Sequence, residues 1–208
     1  KMPGIDIDKL NTLHLDVLRE IGNIGAGNAT TALSKMLNKK VDMGVPKVNI
    51  LELKNVADIL GGPENLVVGI LLDVSGEISG MMMFVLEQQS AHVLVNILME
   101  RDIHDISEFT ELDISALQEI GNILTGSYLS SLATLTKLNI ISSIPQMAFD
   151  MAGAILSVPA IEFGKVGDKV LFIETEFAEG IDHVTGYFIL IPDNDSFEKI
   201  LMSLGVSL

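Results

Sequence analysis

The chain has 208 residues, no cysteine and a formal net charge of −15, so disulfides, thiol catalysis and cysteine-based zinc sites are excluded. The negative charge disfavours nucleic acid and anionic membranes as partners, because both would repel it. The four histidines are widely separated, no apolar run reaches the roughly 18 residues of a membrane-spanning helix, and residues 1–14 contain no apolar block typical of a signal peptide.

The predicted elements occur twice. Sliding the sequence by 99 residues aligns 12–46 with 111–145, and ten of these 35 positions are identical without a gap, where roughly two would be expected by chance. The identical positions of the first repeat are Leu13, Leu18, Glu20, Ile21, Gly22, Asn23, Ile24, Gly27, Leu33 and Pro46. Each repeat begins with a long predicted helix, over about 11–38 and 111–136. A strand that starts with proline follows, near 46–53 and 145–149, and then a short helical stretch.

A pair of β-rich segments and a closing helix complete each repeat. The β-rich pairs are 66–75 with 78–86 and 168–176 with 182–191, and their tight links are typical of hairpins. The closing helices are predicted over 87–99 and about 195–204, and an extra strand is expected around 157–163. We predict one α/β (α+β) domain of two repeats, about 10–104 and 109–208. A pseudo-two-fold axis would relate them, with the strands of both in one mixed or antiparallel sheet.

The glycines of the first helix raise the question of a nucleotide site. Gly25-Ala26-Gly27-Asn28-Ala29 comes close to the glycine-rich turn of dinucleotide-binding proteins. That turn needs a strand before the glycines and a helix that begins at them, whereas here the helical pattern starts about two turns earlier. The second repeat, EIGNILTG, also lacks the G-x-G spacing. We therefore expect no nucleotide site.

The first helix is predicted to present two stripes. At 100° per residue the core stripe is Leu10, Leu13, Val17, Ile21 and Ile24. A second stripe, roughly 100° away, contains Asp16, Glu20, Asn23 and Gly27, and it recurs as Ser115, Glu119, Asn122 and Gly126. A glutamate and an asparagine three residues apart on a helix are usually only solvated. Their retention in both repeats favours a functional role.

Helix glycines cost about 1 kcal/mol each relative to alanine and need a reason. Gly22, Gly25, Ala29 and Ala32 form a small-residue side that suits close packing, for example against the helix of the other repeat. Gly27 and Gly126 lie on the Glu/Asn stripe instead, where a missing side chain would let another macromolecule approach. Relaxed packing is the alternative explanation.

These motifs resemble a known family. Asp/Ser-x-x-x-Glu-x-x-Asn followed 23 residues later by proline, present twice, is similar to the signature of the CheC/CheX/FliY phosphatases of bacterial chemotaxis. The first copy is Asp16, Glu20, Asn23 and Pro46, and the second is Ser115, Glu119, Asn122 and Pro145. The resemblance covers essentially the whole chain. It implies hydrolysis of the aspartyl phosphate on the response regulator CheY, and a regulatory partner, the receptor deamidase CheD.

The residue chemistry is compatible with this role. An asparagine amide can orient a water molecule but cannot act as a base, and a glutamate would pair with a regulator lysine. We expect Glu20, Asn23, Glu119 and Asn122 to be the catalytic residues, with no cofactor of the chain's own and Mg²⁺ arriving on the phosphorylated regulator. We assign no chemical step to Asp16 or Ser115.

Other interpretations remain open at this point. The same helices suit a non-catalytic adaptor, or a module like that of the flagellar switch, that binds the phosphorylated regulator. Asp150 and Ile155 could be presented by a short helix as a CheD contact, although an ordinary connecting helix explains them equally well. The lack of cysteine fits a reducing cytoplasm, where we expect this protein. We also expect a monomer, because the duplication already supplies a two-fold arrangement.

Overall fold

The strands of both repeats join in one antiparallel sheet. The computed structural model describes residues 12–38, 40–163, 168–179 and 182–205, and within these ranges it contains seven strands and six α-helices. The strands are β1 (Asp42–Glu52), β2 (Leu66–Gly76), β3 (Gly80–Glu87), β4 (Ile140–Ser142), β5 (Gln146–Met151), β6 (Lys169–Glu179) and β7 (Asp182–Pro192). The helices are α1 (Thr12–Leu37), α2 (Val56–Ile59), α3 (Gln88–Leu98), α4 (Glu111–Thr136), α5 (Ala152–Phe163) and α6 (Asn194–Ser203).

The strand order shows how the repeats are intertwined. The sheet runs β1-β6-β7-β3-β2, with β4 and β5 both paired to the outer side of β2. The central pair is β3 with β7, where Met83 lies opposite Ile189. On either side the first strand of one repeat pairs with the hairpin of the other, β1 with β6 and β5 with β2. The predicted shared sheet is therefore present, and each repeat lends its first strand to the other.

Helices cover both faces of the sheet. On one face, α1, α3, α4 and α6 pack over a core in which the rings of Phe84 and Phe188 stack 4.9 Å apart. On the other face, α2 and α5 cover a smaller core that includes Met83 and Ile189. Burial of β3 on both sides explains why its sequence is almost continuously apolar. Among the described residues no helix is long and apolar enough to cross a membrane.

Most of the predicted elements are confirmed. The two long helices, both hairpins and both closing helices lie within three residues of their predicted bounds. The strand expected around 157–163 is wrong, because this segment belongs to α5. The buried residues of α5 recur at helical spacing, Ala152, Ile155, Leu156 and Pro159. The short apolar run resembles a strand in sequence because it contains Val158 and Ile161, residues that favour β structure.

The two motif prolines interrupt the outer strands of the sheet. The sequence predicts that Pro46 begins a strand. Pro46 instead lies inside β1, where the register shifts between Gly44 and Lys47. Pro145 lies between β4 and β5, the two short strands that together occupy the place of β1 at the opposite edge. A proline is tolerated at such positions, because edge strands and bulges have backbone positions that need no N–H donor.

Candidate functional site

Gly22, Gly25 and Gly27 lie in the middle of the first helix along the chain, far from both of its ends. Helix α1 is continuous from Thr12 to Leu37, so no glycine-rich turn opens it. A Cβ placed on Gly22 would lie 2.9 Å from Cγ1 of Val45, and one on Gly25 would lie 2.7 Å from Cδ1 of Tyr128 in α4. The predicted close packing of small residues against the other repeat is therefore confirmed at Gly25. The strand-turn-helix arrangement of a dinucleotide site is not present here, because α1 runs unbroken through these glycines and Gly22 and Gly25 pack inside the protein.

The core face of α1 differs from the predicted stripe. Of that stripe Ile21 is buried and Val17 and Ile24 are half-buried, while Leu10 and the side chain of Leu13 lie outside what the structure describes. At 100° per residue Leu13 lies only about 20° from Glu20, so it belongs with the Glu/Asn stripe and not with the core stripe. Among the residues of α1 whose burial is described, 15–37, the buried ones are Leu18, Ile21, Gly22, Gly25, Ala26, Ala29 and Leu33. Their centre lies nearly opposite the Glu/Asn stripe, not roughly 100° from it. Hydrophobic periodicity missed this face because close packing against α4 and β1 selects glycine and alanine there.

The first turn of α4 is held by a buried carboxylate. The side chain of Asp113 is only 4% exposed, and its Oδ2 accepts hydrogen bonds from the Thr110 backbone N–H (2.9 Å) and hydroxyl (2.8 Å). In return Thr110 Oγ1 accepts from the Asp113 N–H, which completes a capping box. Arg101 places Nη1 2.9 Å from Asp113 Oδ1. Burial raises the pKa of Asp113, but the bonds from Thr110 and Arg101 outweigh it and lower that pKa overall.

The candidate catalytic residues lie on the outer side of the helix layer. Glu20, Asn23 and Glu119 are exposed, whereas Asn122 is half-buried. The Oδ1 atom of Asn122 is buried and accepts no hydrogen bond from any residue that the structure describes. The two Glu-x-x-Asn pairs therefore occupy equivalent positions on α1 and α4, but the Asn23 side chain is more exposed to solvent than the Asn122 side chain.

The stripe glycines leave open space beside each pair. A Cβ built on Gly27 or Gly126 meets no atom within 4 Å, and both residues are exposed. Asp16 and Ser115 are also exposed. Among the described residues Asp16 makes a surface ion pair with Arg19, at 3.8 Å, and Ser115 lies one turn before Glu119. The outer face of each helix is therefore a polar strip with a bare glycine one turn beyond the asparagine.

The two residues considered for deamidase contact are not presented together. Asp150 is exposed but belongs to strand β5, where it pairs with Val67. Ile155 belongs to α5 and is 2% exposed, packed near Gly69. The expectation that one short helix presents both was wrong, because the strand extends to Met151 and the first turn of α5 faces the core.

Tyr128 is a structural residue of the site that the sequence did not indicate. It stands where the first repeat has Ala29, so the two repeats are not symmetric at this contact. Its hydroxyl lies 3.0 Å from Thr175 Oγ1, and its ring lies 4.0 Å from that of Phe188. Burial raises the pKa of Tyr128 to about 12. A large residue opposite a run of small ones was the available signal.

Comparison with known proteins decides the family. The model of the CheC-like family matches residues 13–50 and 112–146, the segments that hold both motifs. The chain is 37% identical over 198 residues to the CheY-P phosphatase CheC of Bacillus subtilis, a match that covers 93% of this chain and 95% of that protein. The chain belongs to the CheC-like family.

Further relatives of this CheC-like chain support the assignment. The flagellar motor switch phosphatase FliY of Bacillus subtilis is 31% identical over 143 residues, which is 68% of this chain and 37% of that protein. The crystal structure of Thermotoga maritima FliY superposes with a TM-score of 0.72 at 25% identity, covering 95% of this chain and 98% of that one. The FliM middle domain of Helicobacter pylori shares the fold, with a TM-score of 0.66 at 13% identity over 93% of this chain and 99% of that domain.

Proposed function

We propose that this CheC-like chain is an aspartyl-phosphate phosphatase, a hydrolase that acts on the phosphorylated chemotaxis response regulator CheY. The observation that carries the proposal is the pair of Glu-x-x-Asn faces, on two equivalent helices of a chain 37% identical to a CheY-P phosphatase. Both faces are outer helix surfaces on which three of the four side chains are exposed. A projecting helix face suits a substrate whose phosphoryl group already lies in another protein's active site.

The asparagines supply the chemical role. Hydrolysis of an acyl phosphate needs a water molecule held in line with the phosphorus atom. An asparagine amide can hold that water through its carbonyl oxygen and its NH₂ group, without removing a proton. Asn23 presents its amide to solvent, and Asn122 has an acceptor oxygen with no partner among the described residues. The Asn23 amide is therefore available to a regulator that docks on the helix, whereas the buried oxygen of Asn122 has to be uncovered on docking before it can hold a water molecule.

The glutamates supply positioning. A carboxylate beside a phosphoryl group is electrostatically unfavourable as a base, but Glu20 and Glu119 are exposed one turn before the asparagines. At that place each can pair with a lysine of the regulator and set the register of the helix across its active site. Mg²⁺ would come with the regulator and compensate the charge of the phosphoryl oxygens.

The chain's net charge of −15 fits such a partner. A strongly acidic surface favours a partner that presents lysine or arginine around its site, and it speeds their encounter. The bare surface at Gly27 and Gly126 would let the backbone of each helix approach the regulator closely.

Binding to the deamidase CheD is a second part of the proposal. With Ile155 buried, Asp150 is the candidate contact that remains at the surface. Reversal of its charge in Asp150→Lys should weaken the affinity for CheD at least tenfold, measured by calorimetry, because a carboxylate that contacts a basic group would become repulsive. Asp58→Lys, an exposed aspartate on α2, is the matched control. Equal affinities of both variants and the wild type would remove Asp150 from the contact.

Phosphoryl lifetime separates the enzyme from an adaptor that only binds. Regulator that carries a radiolabelled phosphoryl group on its aspartate is mixed with this chain, which is present at one-twentieth of the regulator's concentration. An enzyme turns over and shortens the lifetime of the whole regulator pool, whereas an adaptor leaves it unchanged or lengthens the lifetime of the bound fraction. An unchanged lifetime would overturn the proposed activity.

A further inference from the structure

We propose that Leu112, in the first turn of α4, is an apolar docking residue for the regulator on the second repeat. It lies about two turns before Glu119. The inference rests on the proposed function and adds a specificity-determining contact to it. Leu112 is 61% exposed in the second position of α4, although leucine normally lies inside. A single exposed leucine needs no explanation by itself, so its placement has to carry the argument.

Leu112 shares the face of the functional stripe. At 100° per residue it lies about 20° from Glu119 and about 40° from Gly126 around the helix axis, on the side of the stripe away from Asn122, which is about 80° from it. The face therefore starts with an apolar side chain, continues with Ser115 and the Glu/Asn pair, and ends at a glycine with open space above it. From Leu112 to Gly126 this row is about 21 Å long at 1.5 Å per residue, the length over which a helix can contact one small protein.

The first turn of α4 is held unusually firmly. The Thr110/Asp113 capping box and the 2.9 Å contact from Arg101 to Asp113 fix the backbone on both sides of Leu112. An apolar side chain on a fixed turn loses little freedom when a partner covers it, so more of its burial energy is available for binding. Leu13 is the leucine at the corresponding position of the first repeat.

The surroundings of Leu112 specify the partner surface. Glu108, Glu111 and Glu119 are all exposed near it in sequence or along the same face. An apolar contact bordered by carboxylates fits an apolar pocket bordered by lysine or arginine. We assign that pocket to the regulator, because the same row continues into the residues proposed to reach its phosphoryl group.

The test measures binding at the second repeat alone. In a chain with Glu20→Ala and Asn23→Ala, the affinity for regulator activated with beryllofluoride is compared with and without changes at Leu112. Leu112→Ala should raise Kd about tenfold, and Leu112→Asp should raise it further. Leu112→Met should keep the affinity, because methionine also fills apolar pockets. An acidic residue in the first turn favours the helix, so Leu112→Asp should not lower the melting temperature.

Ile161→Ala is the matched control. Ile161 is 76% exposed but lies on α5, across the sheet from α4, so its removal should leave Kd unchanged. An unchanged Kd in Leu112→Ala would overturn the inference, and so would the absence of regulator binding in the parent with the first site disabled. Failure of the proposed function is seen separately, as full phosphate release by a chain that lacks both asparagines.

Discussion

Gly25 lies directly against the ring of Tyr128, at a distance that leaves no room for a side chain on residue 25. A second contact holds the same two helices, since the Ser131 hydroxyl donates a 3.0 Å hydrogen bond to the carbonyl oxygen of Ile21. Together these contacts set how α1 and α4 pass each other. The two Glu-x-x-Asn faces are therefore positioned by contacts on the hidden side of each helix, a glycine of α1 against a tyrosine ring of α4 and a serine hydroxyl of α4 on a carbonyl of α1.

Gly25→Ala should destabilise the protein by about 1 to 3 kcal/mol, because the new methyl group would overlap the Tyr128 ring. Gly27→Ala is the matched control two residues away. A Cβ there meets nothing within 4 Å, so that variant should be more stable by up to about 1 kcal/mol, through better helix propensity. Urea unfolding followed by circular dichroism measures both. Equal stabilities would contradict the packing described for Gly25.

Methyl groups on the functional faces should lower turnover without harming the fold. In the double variant Gly27→Ala and Gly126→Ala, we expect kcat/KM for phosphorylated regulator to fall about tenfold, because small displacements of a positioned group are costly in catalysis. Asp58→Ala is the control, an exposed residue of α2 on the other face of the sheet. Wild-type kcat/KM in the glycine variant would show that the regulator does not approach the helices there.

The sequence predicted the elements better than it predicted their faces. The duplication fixed the helices and hairpins, since two copies with the same pattern constrain each other. Hydrophobic periodicity predicted the wrong core face for α1, because Gly25 and Ala29 carry almost no hydrophobic signal. Gly25 is buried there through its contact with Tyr128. The burial of Ile155 was not predictable from local pattern either, since it depends on where β5 ends and α5 begins, at Met151 and Ala152.

The pairing of each repeat's first strand with the hairpin of the other repeat could not be predicted from the sequence either. Pairing of β1 with β6 and of β5 with β2 is a long-range choice that no local pattern records. By contrast, the outward position of Glu20, Asn23 and Glu119 was predictable from helical spacing alone. The half-buried state of Asn122 was not, because it depends on the surroundings of α4 in the folded protein.

Asp113 should make the stability depend on pH below about 4. Its pKa is lower in the folded chain than in the unfolded one, so its stabilising effect is complete above the unfolded pKa and is lost as pH falls through the folded pKa. Asp113→Asn should cost about 1 to 2 kcal/mol at pH 7, and this difference from the wild type should shrink in acid. Unfolding free energies at pH 7 and pH 3 measure it.

Asp16→Asn is the control for that experiment. Asp16 is exposed and its ion pair with Arg19 spans 3.8 Å at the surface, so its loss should change the stability by less than about 0.5 kcal/mol. A difference between Asp113→Asn and the wild type that stays constant from pH 7 to pH 3 would contradict the role given to the carboxylate.

Each asparagine alone should carry part of the activity. Asn23→Ala and Asn122→Ala should each lower kcat for regulator dephosphorylation while the other site keeps working. Because Asn122 is half-buried and Asn23 is exposed, the two losses should be unequal. Steady-state phosphate release at saturating regulator measures them, and a single variant with wild-type kcat would show that its site is silent.

The central claim is that the paired asparagines perform the hydrolysis, and the double variant Asn23→Ala and Asn122→Ala tests it most directly. The measurement is the rate of phosphate release from the phosphorylated regulator, with circular dichroism to confirm that the helices remain folded. We predict that release falls to the regulator's own spontaneous rate. A folded double variant that releases phosphate as fast as the wild type would contradict the claim.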